Sequence, residues 1–232
     1  MKKKTFAVFV ALILVISAVI GGTLAWLQAE SEEVVNTFTF GDINIDLNET
    51  DVDGEGGTKT NAYKLIPGEL AVKDPKVTVE KGSEECYVFV KVTETNNTLG
   101  TGKVIEYTVD AANWKLVSED KENNIYIYVY TNNTAAAAVV DASASAVVTK
   151  SVLAEILDSD NTKTGKHIEV NSALTKEDIE EMAASTDAET GAEIAAKYPE
   201  IRFDACAVQS DTISYAEAER IAIGLLNPTA GE

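Results

Sequence analysis

The chain has 232 residues, with 38 acidic and 19 basic side chains, one histidine and two cysteines. Residues 1–25 hold three lysines and no acid, so the remainder has 16 basic and 38 acidic side chains, a net charge of −22. This balance argues against nucleic-acid binding, which requires a basic surface. The lone His167 excludes a site built from several histidines. A hydrophobic content of 45% argues against a disordered acidic chain.

The N-terminus has the order of a secretory signal peptide. Lys2–Lys4 form a positive start, and an apolar run follows over Phe6–Ile20. Thr23 and Ala25 are small enough for positions −3 and −1 of a signal-peptidase site, so we predict cleavage after Ala25 and only transient membrane contact. The alternative is an uncleaved anchor, since the uncharged run Thr5–Gln28 is long enough to cross a bilayer, which needs ~20 apolar residues.

The remainder, residues 26–232, predicts a single secreted domain that is mainly β. Short apolar or alternating runs are separated by clusters of Gly, Asn and Asp, which is typical of an antiparallel sandwich. The predicted strands are Thr37–Leu47 with a bend at Gly41, Lys76–Val79, Cys86–Val92, Val104–Val109, Trp114–Val117, Ile125–Tyr130, Val147–Leu157, His167–Val170 and Ile201–Gln209. Between them, Pro67 and Gly68 predict a type II turn.

Two or three helices are predicted near the C-terminus. Ser172–Ala184 has Thr175 as its N-cap and acidic residues in its first turn. Asp187–Tyr198 predicts a second short helix, so helical structure is expected over about 174–198. Ser214–Leu226 is an amphipathic terminal helix.

Little in the sequence predicts catalysis. It has no His-Glu-x-x-His zinc motif, no Cys-x-x-Cys pair, no Gly-x-Ser-x-Gly elbow and no phosphate-binding Gly-Lys loop. His167 stands in a predicted strand, where a surface position is more frequent than a catalytic role. We therefore expect neither an enzyme nor a cofactor.

A weak calcium motif lies in the acidic loop 51–57. Asp51, Asp53 and Glu55 match the first, third and fifth positions of a calcium-binding loop. The twelfth position is Ala62, where a bidentate Glu is required, so a solvated turn is the preferred interpretation.

Cys86 and Cys206 both fall in predicted strands of an exported chain, where an even pair permits a disulfide. The alternative is two independent buried thiols that act as small hydrophobic side chains. The two remain open because the sequence does not show which sheet faces the cysteines occupy.

Three tyrosines, Tyr126, Tyr128 and Tyr130, share one face of a predicted strand. Such a row can bind glycans or partner strands. More often it covers one side of a sandwich core.

The N-terminal third resembles the TasA/camelysin-like family of Gram-positive bacteria, whose members are processed by a SipW-type signal peptidase. The resemblance rests on the signal end Gly21–Ala25, on Trp26 with its acidic spacer, on Asn36–Ile45 and on Leu65–Glu69, with Ala207–Gln209 as a weaker match. It implies a jelly-roll-like β-sandwich that is secreted to the cell surface or extracellular matrix. For TasA-like members it also implies biofilm fibres, in which the freed N-terminal segment adds as a strand to the next subunit.

The residues are compatible with strand addition, since residues 26–47 alternate along much of their length and their main chain could pair with a sheet edge. The side chains expected to line such an assembly strand are Trp26, Phe38, Phe40, Ile43 and Ile45. Pairing within the same sandwich is the alternative; we favour it for Ile43–Leu47 and leave it open for Trp26–Phe40. A head-to-tail exchange is heterologous and gives filaments if it does not close.

The sequence therefore predicts a secreted structural protein of the biofilm matrix or cell surface, with itself or other matrix subunits as partners. A monomeric adhesin or glycan-binding module that uses Tyr126, Tyr128 and Tyr130 is the alternative. A camelysin-like metallopeptidase is less favoured, because no zinc constellation stands at a matched position.

Overall fold

The computed structural model describes residues 38–39, 42–54, 59, 61–100, 102–182, 185–186, 193–194 and 197–227. Within them the fold is mainly β and antiparallel, which confirms the predicted β-sandwich class. Several predicted site residues lie outside the described ranges, namely Thr23, Ala25, Trp26, Phe40 and Glu55. No helix within these ranges is long and apolar enough to cross a membrane.

The described residues form fifteen strands and two helices. The strands are β1 (Phe38–Thr39), β2 (Ile45–Asn48), β3 (Leu70–Ala71), β4 (Lys76–Val79), β5 (Cys86–Thr95), β6 (Thr98–Leu99), β7 (Gly102–Lys103), β8 (Ile105–Tyr107), β9 (Trp114–Asp120), β10 (Ile125–Tyr130), β11 (Val147–Val148), β12 (Ile168–Val170), β13 (Ser185–Thr186), β14 (Glu193–Ile194) and β15 (Glu200–Gln209). The helices are α1 (Lys176–Met182) and α2 (Tyr215–Leu226).

The largest sheet has five strands in the order β1-β15-β5-β10-β9. Its strands are antiparallel except β1, which runs parallel to β15. β5 and β15 pair over ten residues each, from Cys86 opposite Gln209 to Thr95 opposite Glu200. Both strands are rich in β-branched and aromatic or small residues that alternate between the two sheet faces, which suits a sheet buried on both sides.

One face of this sheet packs against two three-stranded sheets, ordered β11-β4-β2 and β3-β12-β8. The shared core is the sandwich core. Its buried members include Val88, Val90, Val92, Trp114, Ala205 and Ala207 from the large sheet and Ile45, Val77, Val79, Ile105, Ile168 and Val170 from the smaller ones.

The opposite face of the large sheet is covered by α2, and this second core is the helix core. Phe89, Ile127, Val129 and Val208 from the sheet are buried there with Ala218, Ala222 and Leu226 from the helix. The two alanines are four residues apart and share a helix face, so their small side chains allow the helix to lie close to the sheet.

Both helices begin with a side-chain cap, of which the one at Thr175 is predicted from the sequence. The hydroxyl of Thr175 accepts a hydrogen bond from the Asp178 N–H at 3.2 Å, and the Asp178 carboxylate accepts one from the Thr175 N–H at 2.8 Å. The hydroxyl of Ser214 accepts from the Glu217 N–H at 3.3 Å. The predicted type II turn is also present, with Gly68 at φ 77°.

The predicted helix over Asp187–Tyr198 is wrong. Glu193–Ile194 form β14, which pairs antiparallel with Ser185–Thr186 in β13. The alanines of this stretch favour a helix, but Gly191 within it costs about 1 kcal/mol relative to alanine. The helical prediction for about 174–198 therefore holds only for α1 among the described residues.

Two predicted strands are broken up by the tertiary structure. The run 37–47 is not one bent strand, because β1 belongs to the large sheet and β2 pairs with β4 in another. Such a change of sheet is how a sandwich forms a corner. In 147–157 only Val147–Val148 form a strand, while Leu153 and Leu157 make isolated bridges.

Replacing Phe89 with alanine is expected to lower the free energy of unfolding by about 3–5 kcal/mol, because it empties a fully buried site in the helix core. The matched control is Leu116→Ala, at a side chain that is 42% exposed, with an expected change within about 0.5 kcal/mol. Urea unfolding of both variants measures the difference, and equal losses would contradict this assignment of the core.

Candidate functional site

Among the described residues, the outer side of β15 is an incompletely paired sheet edge. β1 pairs there with only two residues, Phe38 opposite Cys206 and Thr39 opposite Ala207. In the part of the chain that the structure describes, no strand pairs with the outer side of Glu200–Ala205. Six consecutive residues of this ten-residue strand, of which Phe203, Asp204 and Ala205 are buried, thus have no strand partner on that side among the described residues. An added strand would pair with the main chain on that side.

The opposite edge of the same sheet has a different character. β9 carries a register irregularity where it pairs with Ile127 and Tyr128 of β10. Lys115 and Glu119 are charged residues along it. Irregular pairing discourages strand addition, so β9 is named the protected edge. Charge does not distinguish the two edges, since β15 carries Glu200, Arg202 and Asp204.

Ile43 and Ile45 do not lie in a strand that a partner could use. They are 0% and 8% exposed in the sandwich core, and β2 pairs with β4 from Ile45 opposite Val79 to Asn48 opposite Lys76. The assignment of these two residues to an assembly strand is wrong because their own core uses them. The favoured pairing within the same sandwich is confirmed for Ile45–Leu47, while Ile43 precedes the strand and is buried in the same core.

The tyrosine row divides into two environments. Tyr130 is 4% exposed and packs against Trp114, with ring centroids 5.1 Å apart. It covers the sandwich core, as the commoner interpretation predicts, and is not available to a glycan. Tyr126 and Tyr128 are only half-buried and reach a cavity at the side of the sandwich.

This cavity, the tyrosine cavity, has a volume of about 500 Å³ and lies between β10 and β8. Its lining includes Glu94, Lys103, Glu106, Tyr107, Tyr126 and Tyr128. β8 is an edge strand of its own sheet, so the inner face of β10 opens to the side where that sheet ends. Tyr107 is a member that the row of alternating tyrosines did not reveal, since it comes from a different strand.

A buried carboxylate organises one wall of the tyrosine cavity. Glu94 is 7% exposed; its Oε1 accepts a hydrogen bond from the Tyr107 hydroxyl at 2.6 Å, and its Oε2 pairs with the ammonium of Lys103. Both carboxylate oxygens therefore have partners, which a buried charge requires. The lysine side chain remains 40% exposed.

The phenols of this wall hold their protons strongly. Burial, followed by the hydrogen bond to Glu94, raises the pKa of Tyr107 above its usual range. Burial, followed by the nearby Tyr126 and the charge of Glu94, raises the pKa of Tyr128 to about 12. At neutral pH both are hydrogen-bond donors and not phenolate nucleophiles.

A second cavity of about 560 Å³ is lined in part by Lys73, Tyr63 and Ile179. The Lys73 ammonium is 3.1 Å from Glu49 Oε2, 5.3 Å from the Tyr63 ring centroid and 5.4 Å from that of Phe203. The lysine is buried and held by an ion pair and two aromatic rings. This arrangement joins parts of the chain that are far apart in sequence. The positive charge of Lys73 is compensated by Glu49 within the protein.

The two cysteines are free, buried and on opposite sides of the large sheet. Cys86 lies in the sandwich core and Cys206 in the helix core, although their strands are neighbours. Because the sheet separates the thiols, the predicted possibility of a disulfide between them is corrected to the alternative, two independent thiols. Burial raises the pKa of each thiol to about 12.

His167 precedes β12 and is half-buried, not a surface strand residue as predicted. Its backbone N–H donates to the Ala71 carbonyl at 2.9 Å, and its Nδ1 is buried with no hydrogen-bond partner among the described residues. Burial holds the pKa of this imidazole below its usual value.

The acidic loop uses its carboxylates to order its own backbone. Asp51 Oδ1 accepts from the Gly54 N–H at 2.9 Å, and Asp53 Oδ2 accepts from the Ala62 N–H at 2.8 Å. Glu55, the third predicted calcium ligand, lies outside the described residues. Among those described, no three His, Cys, Asp or Glu side chains are grouped to hold a metal ion.

Both thiols are expected to resist a disulfide-exchange reagent in the native protein at pH 8, because they are buried and protonated. In urea without reductant, two thiols per chain should react. Colorimetric titration measures both numbers. Absence of free thiols in urea would show that a disulfide forms after all.

Alkaline pH is expected to unfold the chain as its buried phenols ionise. An ordinary tyrosine titrates near pH ~10, so the unfolded state ionises first, and the raised pKa of Tyr128 costs stability as pH rises from there toward about 12. Absorbance at 295 nm and circular dichroism should change together, and Tyr128→Phe should move the midpoint to higher pH. Tyr198→Phe, at a 52% exposed ring, should leave it unchanged. Complete tyrosine ionisation before unfolding would contradict the assignment.

Comparison of the chain with family models, with curated proteins and with solved structures finds no match. The resemblance to the TasA/camelysin-like family therefore stays a prediction from the residues that carry it.

Proposed function

We propose that this chain is a secreted structural protein resembling TasA-like matrix subunits, and that it assembles by strand exchange at the outer edge of β15. The observation that carries the proposal is the edge itself, where β1 pairs with two residues and Glu200–Ala205 meet no strand among the described residues. The proposal assigns the chain no enzymatic activity and no cofactor.

The parallel register of β1 defines how an added strand would lie. With Phe38 opposite Cys206, the residues just before β1 in the same register would place Asn36 opposite Asp204 and Val34 opposite Arg202. The segment between the proposed cleavage site and β1 is long enough to cover the whole free edge. In the proposed assembly this segment and β1 leave their own β15 and pair with that of the next subunit.

We expect such an exchange to cost little free energy in either subunit. β1 contributes two paired residues in the described structure, whereas β2 is fixed in the sandwich core by four pairs with β4. Both cores can therefore remain intact while the segment before β2 changes partner. A head-to-tail exchange of this kind propagates as a filament unless it closes into a ring.

Two further parts of the proposal concern when and where the subunits assemble. Before cleavage, the signal peptide would hold the exchanging segment at the membrane, and a SipW-type peptidase would release it at Thr23–Ala25. After export, the charge of about −22 keeps subunits apart by repulsion, which salt screens over a Debye length of ~10 Å at 0.1 M. Assembly would then take place in the extracellular matrix or at the cell surface.

Cysteine cross-linking between different copies tests the exchange. Val34→Cys and Arg202→Cys are made separately in the chain that begins at Trp26, and the two proteins are mixed and mildly oxidised. Neighbouring strands lie ~4.8 Å apart, which falls within the Cα spacing of a disulfide. The expected result is a Val34→Cys/Arg202→Cys heterodimer on a non-reducing gel, and a ladder from the double variant.

The matched control pairs Val34→Cys with Glu119→Cys, which places the second thiol on the protected β9 edge and should give no specific product. The native thiols are buried and do not interfere. If the double variant forms only an intrachain disulfide and the mixture gives no heterodimer, the segment pairs with its own subunit and the assembly proposal fails.

A further inference from the structure

The tyrosine cavity has no part in strand exchange and needs an explanation of its own. It lies between β8 and β10, and β5 separates β10 from β15 in the sheet order. A ligand there leaves the β15 edge free. Any function of the cavity is therefore independent of assembly.

The aromatic surfaces of the cavity are accessible. Tyr130 continues the same row but is buried against Trp114, whereas Tyr126 and Tyr128 are half-buried and line the opening. Two tyrosines two positions apart on one strand present their rings on the same side of the sheet. Such rings offer a flat apolar surface with a polar rim, which suits a ligand that has both apolar and hydroxylated sides.

The cavity is lined by both negatively and positively charged side chains. Glu94 is occupied by Tyr107 and Lys103, but the partly exposed lysine ammonium has three N–H donors and so can also donate to a ligand. Glu106 is exposed and supplies an acceptor, and the hydroxyl of Thr108 can donate or accept.

This mixture discriminates between classes of ligand. A cationic ligand would meet the Lys103 ammonium in the same cavity, and could reach Glu94 only by breaking a partly buried ion pair. An anionic ligand would meet Glu94, Glu106 and the negative field of the whole chain. A neutral ligand rich in hydroxyl groups can use donors and acceptors together and leave the ion pair intact.

We propose that the tyrosine cavity binds a neutral saccharide. One sugar ring packs its C–H face against Tyr126 and Tyr128, while its hydroxyls bond to Lys103 and Glu106. The volume of about 500 Å³ lies within the ~300–1,000 Å³ range of small-molecule sites.

Calorimetry on the chain that begins at Trp26 tests the proposal. The probes are neutral hexasaccharides of glucose, galactose, mannose and N-acetylglucosamine, together with a cationic glucosamine hexasaccharide and an anionic galacturonate hexasaccharide. At least one neutral probe should bind, and the charged probes should bind at least tenfold more weakly.

Two variants locate the binding. Tyr126→Ala should weaken the best neutral probe at least tenfold, and Glu106→Ala, at an exposed position that folding does not require, should weaken it at least threefold. Tyr198→Ala, at a 52% exposed tyrosine outside this cavity, should leave the affinity unchanged. The proposal is overturned if no neutral probe binds, if a charged probe binds best, or if neither Tyr126→Ala nor Glu106→Ala lowers the affinity.

Discussion

The ten-residue antiparallel pairing of β5 with β15 is the constraint on which the rest of the structure depends. Side chains alternate across these strands, so the pair Val88 and Ala207 faces the sandwich core while the adjacent pair Phe89 and Cys206 faces the helix core. A shift of one residue would exchange the two sets and bury the wrong side chains on both faces. The separation of the thiols and the position of α2 both follow from this one register.

The sequence predicts those parts of the fold that local signals determine. Alternation identifies Lys76–Val79 and Ile125–Tyr130 with their correct bounds, and the predicted cap at Thr175 starts its helix where expected. Prediction from the sequence fails where the secondary structure of a segment depends on a partner strand far away in the chain. The composition of the alanine-rich stretch before Pro199 predicts a helix, yet Glu193–Ile194 within it form a strand. The alternating run around Gly41 likewise gives no sign that its two halves enter different sheets.

The polar sites are less predictable still, because each joins residues from separate strands. Glu94, Lys103, Tyr107 and Tyr128 come from β5, β7, β8 and β10 and have no common motif. Only the tyrosine alternation indicates part of that cavity, and it includes the buried Tyr130 while missing Tyr107. The sequence also gives no indication of the β15 edge. Whether a strand lies at an edge depends on which other strands pair with it in the folded sheet.

The late position of β15 in the chain has a consequence for the order in which the protein can fold. This strand is the last of the described strands, yet it supplies residues to both cores and brings Phe203 onto Lys73. A chain that emerges from its N-terminus therefore cannot complete the sandwich core until β15 has appeared, or the helix core until Leu226 has appeared. Until β15 appears, β5, rich in valine, lacks its ten-residue partner. Such non-local pairing makes folding slow, because the entropy cost of closing long loops must be met before the long-range contacts form.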